Sequence, residues 1–177
     1  MRNTPPLEDN NIDELIKIKM LSPQKLKAMK YLRAEYNQLQ NDPILSLGAT
    51  VGLPDPSNIF HWKISLVGPQ DTPYAGGMFF LTADFPETYP NTKPEVKFVN
   101  RIYHLNVKDG DGHICISTLN QWVPGTPMVS VLSAIFALFY DQNPLSPYSL
   151  SMAAQYKMNR AKFNQTAAEW TRKYAHM

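Results

Sequence analysis

Apolar residues recur along the chain in two rhythms, and the switch between them marks the elements. Leu26, Met29, Leu32, Tyr36 and Leu39 stand three or four residues apart, the spacing that gathers side chains on one face of an α-helix. Ser22-Pro23 supplies its start, a hydroxyl cap followed by proline in the first turn, and Asn41-Asp42-Pro43 its stop. Lys25, Lys27 and Lys30 lie off the apolar stripe, where lysines usually form a solvated face. From Phe60 the period falls to two: Phe60, Trp62, Ile64 and Leu66 alternate with His61, Lys63 and Ser65 until Gly68-Pro69, the signature of a half-buried strand. Met78 to Phe85 and Glu95 to Val99 repeat that alternation, with turns at Asp71-Thr72-Pro73 and Gly76-Gly77. No helical segment separates these strands, so the sheet is expected to be an antiparallel meander with one face covered by helix. Pro94, with Tyr89-Pro90 ahead of it, makes Asn91 to Asn100 a rigid irregular link rather than a central strand.

Periodicity then lapses over Arg101 to Gly125, where Asp109-Gly110 and Gly112 signal turns. Irregular segments of this length in a compact domain are usually functional or disordered, and this one holds His104, Asn106, the single cysteine and Trp122, which favours function. Thr126-Pro127 caps a strongly apolar helix, Met128 to Tyr140, with so little polar face that it belongs at the centre. Asn143-Pro144-Leu145-Ser146-Pro147 breaks it, and helices over about Ser149 to Asn159 and Arg160 to Tyr174 close the chain. Residues 1 to 21 are polar and contain Thr-Pro-Pro and Asn-Asn, which reads as a flexible extension with one helical turn at Asp13 to Lys19. A single core over residues 22 to 177 follows.

Composition narrows the function. The 177 residues are 44% hydrophobic and 18% charged, with 17 Lys and Arg against 15 Asp and Glu. That balance lacks the basic footprint of a nucleic-acid binder, and no apolar run approaches the roughly 18 residues of a membrane span. One cysteine cannot form an intramolecular disulfide, and the N-terminus resembles neither a signal nor a transit peptide, so cytoplasm or nucleus is expected. The histidines and the cysteine show no ligand spacing and no phosphate-binding loop is present, so neither metal nor nucleotide is expected.

The segment around Cys115 carries a resemblance. Phe60-His61-Trp62, Thr72-Pro73-Tyr74-Ala75-Gly76-Gly77, Phe85-Pro86, Tyr89-Pro90, Ile102-Tyr103-His104-Leu105-Asn106, Gly112-His113-Ile114-Cys115-Ile116, Gln121-Trp122-Val123-Pro124 and Asn143-Pro144 occur in the order of the ubiquitin-conjugating enzymes and close to their spacing. The chain resembles that family over about residues 22 to 177, in particular its short type that works with many ligases. The resemblance implies an α+β, ubiquitin-conjugating (UBC-like) fold of one N-terminal helix, a four-stranded antiparallel meander and C-terminal helices. It also implies a monomer that needs no cofactor of its own, ATP being consumed by the activating enzyme.

By the same resemblance Cys115 accepts ubiquitin from the activating enzyme as a thioester and, with a ubiquitin ligase, passes it to substrate lysines. A thiolate suits acyl exchange, and one thioester exchanges for another nearly without cost. Asn106 corresponds to an asparagine that either donates to the developing oxyanion or orders the active-site loop. His104 becomes a structural histidine, since a base beside the thiol would hydrolyse the thioester. Ser117, Asp141, Asn143 and Ser146 stand around the site: Ser117 and Ser146 where acids are common, Asp141 as the acid nearest in sequence. Lys25, Lys27 and Lys30, with Asn91, Pro124 and Gly125 in two loops, match the surface presented to activating enzyme and ligases. Departures are Leu105 in place of proline, one extra residue between Asn106 and Cys115, and Asn91 where an aromatic anchor is expected. Alternatives are an adaptor of the same fold without catalysis, a conjugating enzyme for another ubiquitin-like modifier, and a thiol hydrolase pairing Cys115 with His104.

Overall fold

The first apolar stripe forms helix α1, Pro23–Leu39, in the computed structural model, which describes residues 20–176. The N-terminal extension expected over 1 to 21 therefore lies, but for its last two residues, outside the described residues, as does the turn at Asp13 to Lys19. Ser22 caps α1, its Oγ accepting from Lys25 N at 3.1 Å, and Ala28, Leu32 and Leu39 point into the core. A 3-10 turn, Pro43–Leu47, leads into the sheet.

The sheet is an antiparallel meander of β1 (Ala49–Gly52), β2 (His61–Val67), β3 (Met78–Asp84) and β4 (Glu95–Phe98) in sequential order. Its register aligns Val51, Ile64, Leu81 and Phe98 in one row across the four strands, all buried. The period-two pattern identified three of these strands. It passed over β1, whose four residues alternate only as Ala49 and Val51 buried against Thr50 exposed, too short a run to show a rhythm. The link expected over Asn91 to Asn100 contains β4, which pairs with β3 alone and so lies at the sheet edge, directly after buried Pro94. A prolyl residue is tolerated there because no ladder bond is required of it.

Helices cover the inner face. After a short turn of helix, α2 (Ser117–Asn120), come α3 (Met128–Tyr140), α4 (Leu150–Met158) and α5 (Arg160–Tyr174). Phe139 of α3 packs its ring 5.3 Å from both Tyr74 and Phe79, and truncating such a buried ring costs about 3 to 5 kcal/mol. The end of α5 is fastened to the sheet, with Met78 N donating to Ala175 O at 2.8 Å and Asn100 Nδ2 to Tyr174 O at 2.9 Å.

One buried charge joins the layers. Glu35, on the inward face of α1, accepts from the Tyr89 hydroxyl at 2.6 Å and from the backbone N–H of Met128. It thereby caps α3, whose own N-cap residue, Pro127, offers no side-chain bond. Burial raises the Glu35 carboxyl above its ordinary value, against the lowering effect of both bonds.

Candidate active site

The irregular segment after Asn100 folds back on itself. Val107 bridges Ile114, Lys108 N donates to His113 O at 2.8 Å, and Cys115 N donates to Asn106 O at 2.7 Å. Cys115 and Asn106 are therefore direct partners, across a hairpin whose tip runs from Lys108 to Gly112, Gly112 N donating to Lys108 O at 2.9 Å. Gly112 sits at φ +71°, and a Cβ there would lie 1.9 Å from Phe98 O, so the close approach of the hairpin to β4 requires glycine. The tip is held by paired bonds from Arg101 to Asp109 at 2.9 and 2.8 Å and by Lys108 to Asp111 at 2.6 Å. Arg101 in turn lies over the rings of Trp170 and Tyr174 in α5, 4.5 and 5.0 Å from their centroids.

Asn106 has no exposed surface, and its carboxamide is completely engaged. Nδ2 donates to Asn143 O at 2.9 Å and to Ser146 O at 3.1 Å, while Oδ1 accepts from Asn143 N at 2.8 Å. Of its two expected roles, the loop-ordering one is therefore filled by every polar atom of the side chain. Asn143 extends the work, its own Oδ1 accepting from Leu145 N at 2.9 Å. Leu105 does not loosen this arrangement. Its backbone N–H, which proline would lack, donates to Gln142 Oε1 at 2.8 Å, and its carbonyl accepts from Tyr148 N at 2.8 Å. Gln142 Nε2 reaches on to the Tyr74 hydroxyl at 2.7 Å, which donates to Tyr103 O.

His104 is sealed in. Its Nδ1 accepts from Asn106 N at 2.9 Å, so Nε2 carries the proton shared with Leu138 O at 3.0 Å. Burial lowers its pKa to about 4, partly opposed by the bond to Leu138. With both ring nitrogens engaged by backbone, it has none to offer a thiol, which removes the Cys115–His104 hydrolase pair.

Cys115 itself is half-buried. Asn120, the last residue of α2, donates from Nδ2 to its Sγ at 3.3 Å; no motif marked that residue. Tyr148, another residue the sequence did not single out, keeps 45% of its surface exposed. Burial raises its phenol first, and negative charge at Cys115 and Asp111 raises it further while Lys108 opposes them. The acid sharing this neighbourhood is thus Asp111, from the hairpin tip. Asp141 is exposed at the end of α3, and Ser117 and Ser146 are exposed.

Of the residues expected to meet partners, Lys27 and Lys30 are exposed on α1, and Asn91, Pro124 and Gly125 in their loops. Lys25 is only half-exposed, paired with Glu87 at 2.7 Å. Trp122 Nε1 donates to Pro90 O at 2.9 Å, and the Tyr89 ring contacts both Trp122 and Tyr31 of α1, with centroids 6.0 and 5.6 Å away. One aromatic cluster therefore joins the helix to both loops. Among the described residues no three His, Cys, Asp or Glu side chains converge as a metal site would require, and no helix is long and apolar enough to cross a membrane.

Residues 31–171 match the family model described as ubiquitin-conjugating enzyme. The chain is also similar to a solved Toxoplasma gondii ubiquitin conjugating enzyme E2 domain, at 32% identity and a TM-score of 0.72 over 83% of this chain and 98% of that one. A Plasmodium yoelii structure assigned to the ubiquitin conjugating enzymes gives 33% identity and a TM-score of 0.74, over 89% of this chain and 99% of that one.

Proposed function

The chain belongs to the ubiquitin-conjugating enzyme family, and from that premise we propose that Cys115 carries ubiquitin as a thioester between an activating enzyme and an acceptor lysine, with a ligase bringing the acceptor. The observation that carries the reading is the half-buried thiol whose backbone N–H pairs with Asn106 O, while the Asn106 side chain holds the 143–146 loop beside it. A loop fixed by three bonds to one buried amide keeps its place while acyl group and amine are exchanged; small displacements in such a site are costly. The neutral, backbone-bonded state of His104 supports transfer over hydrolysis, since that imidazole has no free nitrogen with which to activate water at the thioester.

On this reading the partners are ubiquitin, its activating enzyme and ligases, the last two docking on α1 with Lys27 and Lys30 and on the loops of Asn91, Pro124 and Gly125. The protein works as a monomer in cytoplasm or nucleus, and no cofactor takes part in the step at Cys115. The test is a mixture of the protein with activating enzyme, ATP and ubiquitin, run on a non-reducing gel. A band heavier by one ubiquitin, lost on adding thiol and absent in Cys115→Ala, is expected. No such band with ubiquitin would overturn the reading, and a band with another ubiquitin-like protein would reassign the modifier.

A further inference from the structure

Of the polar residues linked to Cys115 directly or through Asn106, two have no side-chain N–H left for it. Both amide protons of Asn106 are committed to Asn143 O and Ser146 O, and His104 donates to Leu138 O. Asn120 differs: it is exposed, and Nδ2 is directed at Sγ, 3.3 Å away. Its position is set by the short helix that begins two residues beyond the thiol, where Asn120 N donates to Ile116 O at 2.9 Å and Gln121 N to Ser117 O at 2.8 Å.

Resting on the reading of Cys115 as the thioester carrier, we propose that Asn120 is a catalytic residue, whose carboxamide N–H meets the negative charge that moves between the sulfur and the thioester oxygen. In loading, the Cys115 thiolate attacks the carbonyl carbon of the incoming thioester. The new carbon–sulfur bond forms as the old one breaks, and the activating enzyme's sulfur leaves with the electron pair. In transfer, a neutral lysine nitrogen attacks that carbonyl, its π electrons move onto oxygen, and the carbon–nitrogen bond forms. Collapse then expels the Cys115 thiolate, and the surplus proton on nitrogen passes to water. Asn120 gives up no proton at any stage. Sulfur and oxygen are bonded to the same carbon, so an exposed side chain reaches either by a small rotation about its own bonds. A hydrogen bond to a charged group is worth about 10- to 100-fold in rate when it is made only as the charge appears.

The experiment is single-turnover discharge of the purified thioester to free lysine, compared in the full-length wild type, Asn120→Leu and Asn120→Gln. Leucine keeps the bulk without the donor, and glutamine keeps the donor on a longer arm. Asn120→Leu is expected to lower the maximal discharge rate about 10- to 100-fold, with the lysine concentration giving half that rate unchanged. Its thermal midpoint should stay within about 1 °C of wild type, as expected for an exposed side chain, and Asn120→Gln should recover part of the rate. Discharge of the Leu variant at the wild-type rate overturns the role of Asn120, as does an effect confined to the half-saturating lysine concentration. Failure of the wild type to form a thioester at all is a different result and removes the carrier reading itself.

Discussion

Two asparagines flank Cys115 and are employed in opposite ways. Asn106 is wholly buried and binds only backbone, fastening the 143–146 loop through three hydrogen bonds. Asn120 is exposed and makes its bond to Cys115 Sγ. A buried amide with every atom satisfied is expensive to disturb, because each abandoned partner stays unpaired away from water. An exposed amide loses little when replaced, and it retains the freedom to follow a charge. Burial therefore decides which polar residue at this site is architecture and which is chemistry.

The largest effect should come from breaking the architectural side. Asn106→Ala takes their partner from Asn143 N, Asn143 O and Ser146 O in a part-buried setting, and each hydrogen bond abandoned by a group that water does not reach costs about 1 to 3 kcal/mol. Urea denaturation should show a loss of about 3 kcal/mol or more, with discharge to lysine falling alongside. An unchanged unfolding midpoint would mean that the loop does not depend on Asn106, and the contrast with Asn120 would collapse.

Acid should undo the same side without any substitution. The pKa of His104 is about 4 in the folded protein against an ordinary 6.5, so the unfolded chain binds the proton more readily. The stability this contributes is complete above pH 6.5 and is lost as pH falls through 4, amounting to about 3 kcal/mol over that window. Protonation would also remove the acceptor that Nδ1 offers Asn106 N. Urea midpoints at pH 7 and pH 4.5 should therefore separate in the wild type and draw together in His104→Gln; equal separation in both would refute the assignment.

The smallest effect sharpens the comparison from outside. Asp109→Asn weakens the paired bonds with Arg101 at the hairpin tip, which are partly exposed on both sides, where ion pairs contribute about 0 to 1 kcal/mol. Stability should change by less than about 1 kcal/mol and discharge by less than about threefold, because the Asn106–Cys115 pairing lies at the end of the hairpin away from its tip. A discharge defect as deep as that of Asn106→Ala would show that the tip, and through Arg101 the last helix, governs the thiol.

These contrasts explain what was legible in the sequence. Helix α1, strands β2 and β3 and the last three helices announce themselves because bulky apolar residues repeat at a fixed period over many positions. Strand β1 does not, having two inward residues, and Glu35 sits among polar residues of α1 with nothing local to show that Met128 N and the Tyr89 hydroxyl will meet it. At the site, the ordered motifs single out Cys115, Asn106, His104 and Asn143, and the resemblance adds Ser146; the structure bonds each of the other four to Asn106. Asn120 and Asp111 belong to no motif, and their nearness to the thiol or to Tyr148 depends on hairpin and loop geometry that residue spacing does not encode. Lys25, Lys27 and Lys30 all lie off the apolar stripe, and nothing in that spacing shows that Glu87 pairs with Lys25 at 2.7 Å.

Leu105 carries a lesson about reading relatives of this chain. Its N–H and the Gln142 side chain form one fitting, with Gln142 anchored in turn on Tyr74. A proline at the first position has no use for that carboxamide oxygen, and a side chain without an oxygen at the second leaves a leucine amide stranded. The two positions are a lock and its key, thirty-seven residues apart, and a sequence that exchanges one is expected to have exchanged the other.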